Sequence, residues 1–274
     1  MTDTREWTGR VGSSWAEQWQ RTDRSFRALT PHLLDAARAG PFAHALDIGC
    51  GAGEITCALA SADGRAHVTG VDISEDLLDV ARTRCGSLPN TAFALADAGS
   101  FTPPHGPDLL VSRHGVMFFA DPVAAFSHLA ERAARDARLV FSCFRARAKN
   151  EWVGAVMGVL DDPPAPPADD PGAPGPFAFA DRDRVADLLA RAGWRDTAFH
   201  ALDYPMIFGE GADSVADAID YLLHIGPLAS ALANLGDEAR RTALERLGDL
   251  LENAREGNRV SLPAAAWIVT ARTQ

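Results

Sequence analysis

Residues 45–53 read A-L-D-I-G-C-G-A-G, and a helical pattern, E-I-T-C-A-L-A-S-A, follows at once over 54–62. Apolar residues run into Asp47, and then Gly49, Gly51 and Gly53 alternate with small residues. The spacing predicts a strand, a glycine-rich turn and a helix. Alternate glycines let the backbone turn tightly and let a ligand approach where a side chain would block it. The helix start offers unpaired N–H groups and a partial positive charge. Asp72 stands 19 residues after Gly53, at the end of a second apolar run, H-V-T-G-V-D. In doubly wound folds a carboxylate at about that distance accepts ribose hydroxyls.

The glycine spacing separates two cofactors. Gly49-Cys50-Gly51-Ala52-Gly53 is G-x-G-x-G, not the G-x-G-x-x-G of a pyrophosphate binder. Asp47, two residues before the first glycine, would repel a phosphate and favour an ammonium group. S-adenosylmethionine carries an ammonium, a carboxylate, a sulfonium and a ribose, and no phosphate. A nucleotide-dependent oxidoreductase is therefore disfavoured. A bare strand–helix turn with no ligand is a weaker reading once Asp47 and Asp72 stand at these spacings.

Four stretches, LDIGCGAGEIT, VDIS, LADA and DLLVSRHGVMFFADP, resemble the successive motifs of class I S-adenosylmethionine-dependent methyltransferases. The likeness is greatest to the small-molecule branch with the ubiquinone/menaquinone-biosynthesis-type enzymes, and it covers residues 43–145 well. It implies a Rossmann-like, doubly wound, seven-stranded α/β sheet with an antiparallel last strand. It also implies an amino-terminal helical cover and a helical cap inserted before that strand.

Length and composition agree with such a protein. The chain has 274 residues, 47% hydrophobic and 23% charged, enough for one α/β domain with embellishment. A formal net charge of −11 argues against a broad nucleic-acid or anionic-membrane surface. MTDTREWTGR has no apolar core, so it does not read as a secretory signal, and no run approaches a membrane span. Cysteines 50, 57, 85 and 143 lack C-x-x-C spacing, which predicts reduced thiols in a cytoplasmic protein and no zinc. A homodimer is left open.

Residues 13–39 read as helix with a break at Thr30-Pro31, where Thr30 can cap and Gly40 ends the run. From 44 to 145 strands at 44–48, 67–72, 91–95, 108–112 and 138–144 alternate with helices at 54–62, 75–84 and 122–133. That order predicts a parallel sheet with right-handed crossovers. Residues 161–176, DDPPAPPADDPGAPGP, hold seven prolines and read as an exposed loop or mobile lid. Helix 181–192, strand 197–202, helices within 211–256 and a final strand from Pro263 complete the chain. The expected division is a cover at 1–42, a methyltransferase core at 43–210 and 262–274, and a cap at 211–261.

Ligands of open α/β sheets bind beyond the carboxyl ends of the strands. Asp47, Gly49, Cys50, Gly51 and Gly53 then share a crevice with Asp72 on the ribose, and with Asp97 and Ala98 on the adenine. Ile73 and Met117 supply apolar contact to the adenine, while Trp19, Leu77 and Arg113 complete the cofactor set. The resemblance implies a small-molecule acceptor, methylated on a hydroxyl oxygen by in-line displacement because O-methylation is frequent in that branch. C- or N-methylation and a non-catalytic S-adenosylmethionine-binding role are the alternatives. A hydroxyl has a proton to lose, and an imidazole near its ordinary pKa can take it. His114, just beyond the fourth strand, is the first candidate and His224, in the inserted helices, the second. Asn150 and Trp152 either line the acceptor pocket or pack. No magnesium-binding carboxylate set is evident.

Overall fold

The computed structural model describes residues 7–164 and 173–274. The glycine turn joins β1 (His44–Ile48) to α4 (Glu54–Ala62), as the spacing requires. The alternation continues with β2 (His67–Asp72), α5 (Glu75–Arg84), β3 (Thr91–Leu95), β4 (Leu109–Arg113), α6 (Pro122–Arg132) and β5 (Arg138–Phe144). Then come α7 (Glu151–Met157), α8 (Arg182–Arg191) and the long β6 (Trp194–Glu210). Ser74 caps α5 by accepting from Leu77 N–H, and Asp121 caps α6 through Ala124 N–H. β5 is buried at every position but its first, which suits a strand covered on both faces.

The strand order is β3-β2-β1-β4-β5-β8-β6, where β8 is Arg259–Thr273. β1 to β5 pair in parallel, and β8 enters antiparallel between β5 and β6. A two-residue strand, β7 (Arg255–Glu256), pairs β8 at its start. The sheet is the doubly wound sheet with an antiparallel last strand that the motifs imply. Leu33, Ile55 and Leu59 of the amino-terminal helices and α4 pack on one face, with Val68, Val111 and Val140. Phe126 and Leu129 of α6 and Val185 and Leu189 of α8 pack on the other, with Leu46, Leu110 and Phe141.

β6 is much longer than the six residues the sequence suggests. It and β8 run on beyond the sheet as a two-stranded ribbon to Glu210 and Arg259. The helices α9 (Ser214–His224), α10 (Pro227–Leu232) and α11 (Asp237–Asn253) hang from the end of that ribbon. Their apolar stripes, including Tyr221, Leu228, Leu247 and Leu251, join the main core.

The amino terminus divides further than expected, into α1 (Arg10–Glu17), α2 (Trp19–Ser25) and α3 (Thr30–Ala37). Thr30 does not cap: its Oγ1 accepts from Arg113 Nη1 at 2.9 Å. The proline-rich stretch read as a lid lies outside the described residues over 165–172. Among the described residues, no helix is long and apolar enough to cross a membrane.

The expectation of four reduced thiols is corrected. Cys57 of α4 and Cys85 at the end of α5 form a disulfide, with Cα atoms 5.5 Å apart, while Cys50 and Cys143 are free and buried. Linear spacing hid the pair, because only the crossover from α4 through β2 to α5 brings positions 28 residues apart together. Closing such a loop constrains the unfolded chain and is worth roughly 2–4 kcal/mol. Thermal unfolding with and without dithiothreitol should show a matching loss on reduction, and Cys57→Ser should abolish the difference. Unfolding insensitive to the reductant would mean the bridge contributes nothing.

Candidate functional site

The three turn glycines all lie at positive φ: 62° at Gly49, 52° at Gly51 and 80° at Gly53. A Cβ on Gly53 would come within 2.9 Å of the Ala81 methyl, so that glycine serves helix–helix packing. A Cβ on Gly51 would meet nothing within 4 Å. Gly51 therefore faces open space at the mouth of the turn, where a ligand can lie against the backbone.

Asp72 ends β2 buried beside that turn. Its Oδ2 accepts Gly51 N–H at 2.8 Å and its Oδ1 accepts Ser74 N–H at 2.9 Å. Burial raises its pKa, and these backbone donors work against the rise. Each oxygen keeps a second lone pair for a ribose hydroxyl. Asp47 is sealed beneath the turn, where it accepts from Thr56 Oγ1 at 2.6 Å. Burial pushes it up to about 6 against the Thr56 hydrogen bond and the Arg113 charge. Asp47 thus ties β1 to α4 and does not reach the surface of the turn. Asp97 is exposed at the end of β3, with Oδ1 on Gly99 N–H at 2.8 Å, and Ala98 beside it is buried.

Arg113, at the end of β4, lies at the centre of a charge cluster that the sequence reading missed. Its Nη1 donates to Glu54 Oε2 and its Nη2 to Asp23 Oδ1 at 2.9 Å. Arg84 donates to the other oxygen of Asp23 at 2.5 Å, and the Trp19 ring lies 4.7 Å from the Arg84 guanidinium. Burial favours neutral Asp23, but Arg113, Glu54 and Arg84 outweigh it and hold Asp23 below its ordinary value. Burial pushes Glu54 up to about 7, with Arg113 opposing and Asp23 reinforcing. The cluster locks α2 onto the first turn of α4, the helix that the glycine turn opens.

The same amino-terminal helices are tied elsewhere. Ser13 Oγ donates to Asp76, and a Cβ on Gly12 would strike Ser74 Oγ at 2.4 Å, so α1 lies against the start of α5. Trp7 packs on Trp15 at 5.4 Å and on Phe118 at 5.3 Å. Arg21 and Arg24 pair with Asp217 of α9, and Ser25 Oγ donates to Ile207 O at 2.8 Å. Amino-terminal helices thus bridge the strand ends and the inserted helices. Of the remaining cofactor candidates, Ile73 is half-buried, whereas Cys50, Leu77 and Met117 are buried. Leu77 and Met117 are therefore placed to shape the wall from within.

His114 sits in the left-handed region at φ 63°. Its ring is sandwiched by Phe26 at 4.9 Å and Phe144 at 4.3 Å, and its Nδ1 lies 2.7 Å from Ser142 Oγ. Burial and then the Arg113 charge lower its pKa to about 3. The expectation of an imidazole near its ordinary pKa is therefore corrected: this ring is neutral at pH 7 and a poor proton acceptor. Its Nε2 is buried without a hydrogen-bond partner among the described residues. His224 closes α9 half-exposed, its Nδ1 donating to Asp220 O at 2.7 Å. Neither of its contacts joins it to His114, so the two candidates are not brought together. Asn150 is structural: its amide group bonds Ala265 in both directions and donates to Arg145 O. Trp152 packs beside Phe144 at 5.9 Å.

The donor set fits S-adenosylmethionine better than a phosphate-bearing cofactor. Asp72 bonds the turn, Asp47 lies sealed beneath it and Asp97 follows the next strand end, while the cations Arg113 and Arg84 are already paired. Among the described residues no group of three or more His, Cys, Asp or Glu could hold a metal ion. A methyltransferase-domain family profile matches residues 45–136, which hold the turn and the first four strand ends. A trans-aconitate 2-methyltransferase of Methylobacterium radiotolerans is 42% identical over 102 residues, 37% of this chain and 36% of that protein. The Klebsiella pneumoniae protein of the same name is 27% identical over 215 residues, 76% of each chain. Most other such matches span about a third to a half of the relative's length. The fold is also similar to a methyltransferase candidate from Bacillus halodurans C-125. Its TM-score is 0.57 and its identity 16%, covering 89% of this chain and 98% of that one. That likeness bears on the fold alone.

Proposed function

Since the chain belongs to the class I S-adenosylmethionine-dependent methyltransferases of small molecules, we propose that it methylates a carboxylate oxygen of a small organic acid. The bound cofactor supplies a sulfonium methyl, already activated for in-line displacement. The chain's residues then have to orient the acceptor and exclude water, which can contribute roughly 7–11 kcal/mol. A hydroxyl acceptor, the sequence expectation, also needs a base.

The observation that carries the choice is His114, sealed between two phenyl rings and lowered to about 3. Such an imidazole cannot drain a hydroxyl proton at neutral pH. A carboxylate arrives without that proton, and the neutral ring can donate to it from Nε2. The relatives named trans-aconitate 2-methyltransferase support the same acceptor class. Burying the anion costs solvation. The positive sulfonium and the uncharged His114 Nε2 donor offset that cost. The inserted helices and α2 act as the cover that keeps water out.

Labelled S-adenosylmethionine offered with a panel of unsaturated acids and matched phenols tests the reading. Acids should accept label as base-labile methyl esters. Label entering the phenols alone, as base-stable ethers, would return the acceptor to a hydroxyl.

A further inference from the structure

Five side-chain polar atoms are buried with no hydrogen-bond partner among the described residues, Trp7 Nε1 and Arg24 Nε in the amino-terminal segment and three farther along the chain: His114 Nε2 after β4, Trp152 Nε1 of α7 and Tyr204 Oη of β6. Buried polar groups are nearly always paired, because leaving one unmade forfeits the bond it had with water. Several gathered on one side of the sheet point to a ligand. The sheet register places the last three on one side. Phe144 of β5 lies opposite Ala266 of β8, and Tyr204 of β6 lies opposite Ala264. Directly opposed residues share a face, and so do positions two apart along a strand. Phe144, Ala266, Ala264 and Tyr204 therefore share a face, with two methyl side chains between two aromatic ones. Ser142, two residues before Phe144, holds His114 on the same side. Trp152 closes the row, 5.9 Å from Phe144 and 5.9 Å from Phe208 of β6.

The chemistry of this face is specific. Indole N–H and phenol O–H donate without carrying charge, and the His114 ring is neutral. The walls are flat rings over small alanines, which suits a flat conjugated body. We propose that Tyr204 Oη and Trp152 Nε1 grip a second carboxylate of the acceptor, the one not methylated. They are positioning residues that select unsaturated di- or tricarboxylates over monocarboxylates. The inference rests on the carboxylate reading and adds the residues that choose among acids.

Tyr204→Phe and Trp152→Phe keep the rings and delete the donors. Both variants are assayed with fumarate, trans-aconitate and the monocarboxylate crotonate, alongside thermal unfolding and calorimetry with S-adenosylhomocysteine. The KM for the two polycarboxylates should rise roughly 10- to 100-fold, the scale of a hydrogen bond to a charged group. The rise for crotonate should be clearly smaller. S-adenosylhomocysteine affinity should hold, and Tm should stay or climb in Tyr204→Phe, since an unpartnered buried hydroxyl is removed. Equal losses for all three acids with a lowered Tm would assign the donors a structural role and overturn the inference. Unchanged KM for the polycarboxylates in both variants would also overturn it while leaving carboxylate methylation standing. A parent that methylates none of the acids would overturn both.

Discussion

Arg113→Leu should cost the fold about 3–5 kcal/mol, the penalty of leaving buried carboxylates without their cation. Asp23 and Glu54 both lose their hold, and Arg84 reaches only Asp23. The loss should depend on pH with a defined sign. Glu54 is raised from 4.5 to about 7, so its stabilising contribution is full below about 4.5 and is lost as pH rises through about 7. Asp23 is lowered, so its contribution is present above its ordinary value and is lost as pH falls through the depressed one. Without Arg113 the Glu54 carboxyl should rise further, and the deficit should be larger at pH 8 than at pH 6. Urea unfolding at the two pH values measures both effects. Adding Glu54→Gln should restore part of the loss, since a neutral amide needs no cation, and the double-mutant cycle isolates the coupling. A deficit under 1 kcal/mol, equal at both pH values, would show that water reaches the cluster freely.

Much of this was legible in the residues, for identifiable reasons. The β/α alternation from His44 to Phe144 follows from local signals, namely apolar runs ended by Asp72 or Arg113 and caps at Ser74 and Asp121. Asp72 beside Gly51 follows from the glycine spacing, because the doubly wound crossover returns the second strand next to the first. What failed was long-range. Asp23, Glu54 and Arg113 carry no mutual spacing rule, and only the docking of α2 on the strand ends joins them. Cys57 and Cys85 are linked by the same kind of crossover contact. Tyr204 lay beyond the strand expected at 197–202, because the ribbon that extends β6 is held by its pairing with β8 rather than by its own pattern. The place of His114 just beyond β4 could be read, but the expected ordinary pKa could not stand. A histidine's pKa depends on burial, and burial by Phe26 and Phe144 cannot be read at position 114 itself.

His114→Asn should lower kcat roughly 10²- to 10³-fold, the range seen when one oriented donor to a reacting oxygen is removed. Asparagine suits the left-handed backbone at φ 63° and is too short to replace Nε2. Affinity for S-adenosylhomocysteine should hold, since His114 is not among the residues that frame the glycine turn. The pH dependence separates a donor from a base. With the ring lowered to about 3, kcat in the parent should show no imidazole limb between pH 5.5 and 8.5. A limb near 7 that vanishes in Glu54→Gln, and not in His114→Asn, belongs to Glu54. Stability gives an independent reading of the same ring. The unfolded chain binds a proton below about 6.5 that the folded ring refuses until about 3, so stability is lost as pH falls through that window. His114→Asn should show a shallower decline there. A neutral-range limb in kcat that disappears with His114 would restore the imidazole as the base, and with it a hydroxyl acceptor.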